Sequence, residues 1–128
     1  MQKDKGMQKW LKDFAEESCL ASCYYYMTGG RDFTGFLEFL DCGIRNGDIT
    51  EEDCYVRNPN NLTKRLVYSS ITNTTNEPQI ARFYNPRTGF SHFVVAEVKD
   101  NKVIVIYDPL EDSVTVKEGF VKDWRIVN

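Results

Sequence analysis

The chain has 128 residues, of which 41% are hydrophobic and 27% are charged, and its formal net charge is -3. This composition is typical of a globular protein and argues against intrinsic disorder as the main state. The acidic balance argues against a general affinity for nucleic acid, because there is no basic excess to neutralise phosphates. The length suits one domain, and we expect residues 1–128 to form it.

The sequence predicts no membrane partner. No stretch is long and apolar enough to span a bilayer, and the charged N-terminal segment lacks the apolar middle of a secretory signal. We therefore expect a cytoplasmic location, in which the four cysteines remain free thiols. The pattern does not indicate an oligomeric state.

Helical patterns occupy the front of the chain. Trp10, Leu11 and Phe14 recur at helical spacing. A second helix is expected to begin at Cys19, with Ser18 as its N-cap, and to end at the two glycines 29–30. Its predicted buried stripe is Leu20, Cys23, Tyr24 and Met27.

Three further helical segments are predicted after it. Residues 34–45 form an amphipathic pattern that stops at 46–47, and residues 50–53 indicate one turn with a capping-box pattern. Asn60 or Asn61 is expected to cap a further helix. The predicted apolar residues are Phe36, Leu37, Leu40 and Ile44 in the first segment, and Leu62, Leu66 and Val67 in the last.

Strand patterns occupy the back of the chain. Residues 69–78 are polar and predict a loop. Strands are then predicted over 79–84, 90–98 and 102–107, with weaker patterns over 113–116 and 120–127. Helices followed by an antiparallel sheet are typical of the α+β class.

Three residues suggest hydrolytic chemistry. The chain has one histidine, so any histidine-dependent reaction must use His92. A cysteine hydrolase needs a thiolate, a base and a group that orients the base. Cys19 stands at a predicted helix start, where free amides and the helix dipole favour a negative sulfur. Asp108 follows the strand after that of His92, so the pattern predicts Cys19 as nucleophile, His92 as base and Asp108 as orienter.

The hairpin between the two strands decides whether His92 and Asp108 can meet. A three-residue loop over 99–101, with Asn101 in the left-handed conformation, makes His92 the direct partner of Asp108, with Cβ atoms about 5 Å apart. A two-residue loop at 100–101 turns Asp108 to the opposite face unless a bulge restores it. The triad hypothesis therefore predicts the three-residue loop or a compensating bulge.

Three motifs occur in a fixed order: a cysteine at a helix start, Ser-His-Phe-Val-Val at 91–95, and Ile-Tyr-Asp-Pro at 106–109. This order resembles that of the bacteriocin-leader-type papain-like cysteine peptidases. Residues 47–56 are similar to a small uncharacterised bacterial and phage group of papain-like domains. The resemblance implies a papain-like fold, with N-terminal helices packed on a C-terminal antiparallel sheet. It also implies the triad Cys19, His92 and Asp108, hydrolysis of a peptide or amide bond in a peptide or protein substrate, and no metal or organic cofactor.

The chain departs from this family at two positions. The peptidases have Gln six residues before the nucleophile, where Asp13 stands here, and usually Gly after it, where Leu20 stands. A carboxylate cannot donate to an oxyanion unless it is protonated, and losing one such donor costs about a hundredfold to a thousandfold in rate. The alternative function is therefore a weak or inactive pseudoenzyme that binds a peptide or protein. Acyl transfer to an amine on the same triad is a further alternative.

The remaining cysteines allow other assignments. Cys23 is an alternative nucleophile, but its place on the apolar stripe favours burial. A zinc site formed by all four cysteines would need an unusual C-x11-C spacing. We therefore assign no metal ligand and expect Cys42 and Cys54 to be packed or incidental thiols.

Overall fold

The computed structural model describes residue 14 and residues 17–128. The predicted helical residues Trp10 and Leu11 lie outside the described residues. Within the described part, α-helices pack against one antiparallel sheet, which confirms the α+β class. No helix in the described part is long and apolar enough to cross a membrane.

The helices are short, apart from one of 13 residues. Their bounds are α1 (Cys19–Met27), α2 (Phe33–Arg45), α3 (Pro59–Thr63) and α4 (Val114–Glu118). Ser18 is the N-cap residue of α1, as predicted, but its side chain makes no capping hydrogen bond, because the Ser18 hydroxyl donates to the carbonyl of Phe14 at 2.6 Å, as the Ser18 amide does at 2.9 Å. Ser18 is therefore bonded back to the residue four positions before it.

Helix α2 agrees closely with its prediction. Asp32 caps it by accepting a hydrogen bond from the Gly35 amide at 3.0 Å. Phe36 and Leu40 are buried as predicted. The prediction for Leu37 is wrong, since this residue is exposed although the apolar spacing placed it on the buried stripe.

The sheet has five strands in the order β1-β5-β2-β3-β4. Their bounds are β1 (Val67–Ser70), β2 (Gln79–Asn85), β3 (Phe90–Lys99), β4 (Lys102–Tyr107) and β5 (Phe120–Val127). The predicted strands over 79–84, 90–98, 102–107 and 120–127 are confirmed to within one residue. The last of these lies inside the sheet, since β5 pairs with both β1 and β2.

The third helix is shorter than predicted. Lys64 takes a left-handed conformation, with φ of 56°, and ends α3 after five residues. The side chain of Asn60 then accepts a hydrogen bond from the Val67 amide at 2.8 Å. Val67 begins β1 and pairs with Val127, so the prediction of a helix through Val67, and of a loop from residue 69, is wrong there.

Residues 113–116 were expected to form a strand, and that prediction is wrong. The Lys117 amide donates to the carbonyl of Ser113 at 3.1 Å, and the segment forms α4. The β-branched residues Val114, Thr115 and Val116 favour a strand locally, but Val116 packs against the core as part of this helical turn.

The turn of the β3–β4 hairpin has two residues, not three. Asp100 and Asn101 are both left-handed, with φ of 54° and 63°, and Lys99 pairs with Lys102. Two successive left-handed residues form the turn that best matches the twist of a two-residue hairpin. The three-residue loop is therefore wrong.

A bulge compensates for this shorter turn. Ala96 pairs with Val105, but Val95, the residue before Ala96 on β3, pairs with Tyr107. Strand β4 therefore contains one extra residue, Ile106. The extra residue reverses the face on which all later β4 side chains point. The compensating bulge, the second of the two predicted solutions, is thus present.

Two core clusters lie on opposite faces of the sheet. Neighbouring residues such as Ile80 and Ala81, or Val95 and Val94, belong to different clusters, as strand alternation requires. Helices α1 and α2 cover one face and contribute buried residues to its cluster. Helix α4 contributes Val116 to the other.

Candidate active site

His92 and Asp108 are in direct contact. His92 lies near the start of β3, beyond the last residue that β4 pairs with. Its Nε2 atom is 2.6 Å from Oδ1 of Asp108, and the two side chains are only 4% and 9% exposed. The structure therefore brings the predicted base and its predicted orienter together.

The Asp108 carboxylate is held in place by its own loop. Oδ1 also accepts a hydrogen bond from the Leu110 amide at 2.9 Å. Burial alone would raise the pKa of Asp108, but the hydrogen bonds from His92 and from the amides of Leu110 and Ser113 lower it below its ordinary value. Asp108 is thus ionised at neutral pH and remains an acceptor for the imidazole.

Cys19 acts on the same imidazole. It is the first residue of α1, is 6% exposed, and its sulfur affects His92 both as a hydrogen-bond partner and as a neighbouring charge. Since Nε2 of His92 faces Asp108, Nδ1 is the ring nitrogen left for the sulfur. All three residues predicted for the triad are therefore neighbours.

The electrostatics of this group favour a protonated imidazole. Burial lowers the pKa of His92, but hydrogen bonds to Asp108 and Cys19, together with the charges on both, raise it to about 9. His92 is then an imidazolium at neutral pH. An imidazolium between a carboxylate and a sulfur is the charge distribution that stabilises a thiolate.

No protein-family model, curated protein or solved structure matches this chain. The function of this chain is therefore inferred from the residues of the site and their chemistry. The papain-like resemblance and the roles of the three residues stay predictions.

The other cysteines lack these surroundings. All four cysteines are free thiols. Cys23 is completely buried, and its burial, followed by the charges of Cys19 and Asp108, raises its pKa well above the ordinary value. Cys42 is exposed on α2, and burial raises the pKa of the half-buried Cys54. In the described part of the chain, no three His, Cys, Asp or Glu side chains are grouped to hold a metal ion.

Cavities surround the triad. Cys19 lines one of about 480 Å³, and His92 lines one of about 650 Å³, with Ser91 shared by both. A third, of about 800 Å³ and mostly apolar, is lined by Ser18 and Ser22 on either side of Cys19 in the sequence, and by the residues flanking Asp108. Open space thus lies beside Cys19 and beside His92, whereas Asp108 itself lines none of these three cavities.

One contact that the sequence did not predict joins the two halves of the site. The hydroxyl groups of Ser22 and Tyr107 lie 2.6 Å apart, across 85 residues of chain. Ser22 is one helical turn beyond Cys19, and Tyr107 immediately precedes Asp108. The sequence could reveal this pair only if the register of the β3–β4 hairpin were known, because the bulge decides on which face of the sheet Tyr107 points. Asp13, which replaces the glutamine of the peptidases, lies outside the described residues.

Proposed function

We propose that this chain is a papain-like cysteine hydrolase that cleaves a peptide or amide bond. The observation that carries the proposal is one imidazole with two partners: Asp108 at 2.6 Å on Nε2, and the Cys19 sulfur. Nucleophile, base and orienter in contact, in that order, are what thiol-dependent acyl transfer requires. An isolated buried ion pair would not need a cysteine beside it.

In the proposed reaction, the Cys19 thiolate attacks the carbonyl carbon of the substrate. His92 gives its proton to the leaving amine, and the carbon–nitrogen bond breaks to leave a thioester on Cys19. The neutral His92 then takes a proton from water, whose oxygen attacks the thioester and releases the acid and the thiolate. Asp108 holds the imidazole in the required orientation, and the Cys19 amide supports the oxyanion.

The test is the alkylation rate of each cysteine with iodoacetamide at neutral pH, read by mass spectrometry. We expect Cys19 to react faster than the exposed Cys42, because only Cys19 has an imidazolium partner. His92→Ala should reduce the Cys19 rate at least about tenfold and leave the Cys42 rate unchanged. If Cys19 in the unaltered protein reacts no faster than Cys42, the hydrolase proposal fails.

One observation favours the second candidate, a pseudoenzyme that binds a peptide or protein. Cys19 is only 6% exposed, and a nucleophile must be reached by its substrate. An activated ester such as p-nitrophenyl acetate separates the two candidates. A hydrolase acquires an acetyl group on Cys19 that disappears with time, whereas a binding module acquires none at that residue.

A further inference from the structure

The residues of the triad come from parts of the fold that the sheet does not join. Cys19 lies on α1, whereas Asp108 follows the end of β4. The last pair in the β3–β4 ladder is Val95 with Tyr107, so Asp108 is outside the ladder. Strand pairing therefore does not fix the distance between Asp108 and α1, and other contacts must do so.

Tyr107 provides such contacts. Its hydroxyl lies 2.6 Å from the Ser22 hydroxyl, and its ring stacks on that of Tyr26, with centroids 4.6 Å apart and planes at 11°. Ser22 and Tyr26 are four residues apart and lie one above the other on α1. Tyr107 thus lies along the nucleophile helix and contacts two of its turns.

The Tyr26 ring is itself held on its other face. The guanidinium of Arg31 lies 3.6 Å from the ring centroid, and Nη1 of Arg31 donates to the carbonyls of Tyr26 and Gly30 at 2.9 Å and 2.6 Å. Because one ring cannot receive both partners on one face at these distances, Tyr26 is enclosed between Arg31 and Tyr107. The stack is therefore anchored at the end of α1.

We propose that Tyr107 is a positioning residue, which fixes α1 relative to the end of β4 through Ser22 and Tyr26 and so sets the spacing of Cys19 from the His92–Asp108 pair. This role rests on the proposed function. It needs two separate contacts: the hydroxyl pair fixes the position along α1, and the ring stack fixes the separation. Neither Ser22 nor Tyr107 is expected to touch the substrate's reacting atoms.

The test uses Tyr107→Phe, which removes the hydroxyl and keeps the ring, and Ser22→Ala, which removes the other half of the same hydrogen bond. Two quantities are measured: the titration midpoint of His92 by NMR, free of overlap because the chain has one histidine, and the rate of Cys19 alkylation. We expect each variant to lower the midpoint from about 9 towards 6.5 and to reduce the rate about fivefold. Tyr107→Leu, which also removes the stack, should reduce it further.

The double variant and a control make the test decisive. If the two hydroxyls act through each other, Ser22→Ala combined with Tyr107→Phe should be no worse than either change alone. Tyr84→Phe removes the hydroxyl of a tyrosine on β2 whose ring packs against Phe120 of β5, and it should change neither quantity. Circular dichroism confirms that each variant is folded before the comparison.

Two results would overturn the proposal. One is an unchanged midpoint and rate in Tyr107→Phe, whatever its unfolding temperature, which means that Tyr107 does not set the spacing. The other is full additivity of the two single changes. Failure of the proposed function is distinct, since it shows as slow Cys19 alkylation in the unaltered protein, while the His92 midpoint still reports on the spacing.

Discussion

At the scale of single residues, the molecule concentrates its unusual chemistry on His92. Its imidazole is buried and yet favours the charged form, because a carboxylate and a sulfur compensate for the lost water. Burying a charge is costly unless partners are present. The surroundings of His92 are therefore built around its protonated state, which has consequences for stability.

The raised pKa of His92 makes folding depend on pH. The folded protein holds the proton up to about pH 9, whereas an unfolded histidine releases it near 6.5. Between these values the folded state binds more protons, so the free energy of unfolding falls as pH rises. We expect the full contribution below about pH 6.5 and none above about pH 9.

Urea unfolding at a series of pH values measures this dependence. His92→Gln should remove the part of the decline between pH 6.5 and 9 that belongs to His92, leaving a flatter curve. The lowered pKa of Asp108 acts in the opposite sense, giving stability that is lost as acid protonates the carboxylate. If the free energy of unfolding between pH 6.5 and 9 follows the same curve in His92→Gln as in the unaltered protein, His92 is not charged in the folded protein.

At the scale of elements, the β3–β4 hairpin brings His92 and Asp108 together by two devices. Its turn has two left-handed residues, and its bulge contains one extra residue. Each device alone would place Asp108 on the wrong face. Together they restore the parity that the contact needs.

The turn can be tested through Asn101, whose φ is 63°. Asn101→Gly should be tolerated or mildly stabilising, because glycine adopts this conformation without strain. Asn101→Val should cost about 1–2 kcal/mol in the free energy of unfolding, since a β-branched side chain clashes in the left-handed region.

A matched control substitution distinguishes a loss of stability caused by the left-handed turn from one caused by valine itself. Lys102→Val places the same side chain on the first residue of β4, where an extended backbone accepts it. Equal losses from valine at 101 and at 102, measured by denaturant unfolding, would contradict the left-handed turn.

At the scale of the whole molecule, the sequence predicted most elements but not how they are joined. Four strands and α2 followed from apolar periodicity, which depends on burial of one face and is readable locally. The prediction of a strand over 113–116 is wrong because the β-branched residues there favour a strand locally, whereas the packing of Val116 on the core favours a helix. Strand β1 was not predicted because it is formed by pairing with β5, which is distant in the sequence: Val67 and Val127 are 60 positions apart.

For the candidate site, too, the residues could be predicted from the sequence, but not all of the contacts between them. Residue chemistry identified Cys19, His92 and Asp108, and arithmetic on the hairpin limited the register to two solutions. The choice of the bulge could not be predicted, because nothing local to Ile106 distinguishes an extra residue from a regular one. Tyr107 was missed for the same reason, since its contact with Ser22 exists only once α1 is packed on the sheet.

The central claim is that sulfur, imidazole and carboxylate form one connected group, and the NMR titration of the single histidine tests it most directly. We predict a midpoint near pH 9 in the unaltered protein, lowered by about 1–2 units in Asp108→Asn. Asp41→Asn, which alters an exposed carboxylate paired with Arg45 on α2, should leave the midpoint unchanged. A midpoint near 6.5 that Asp108→Asn does not move would contradict the account.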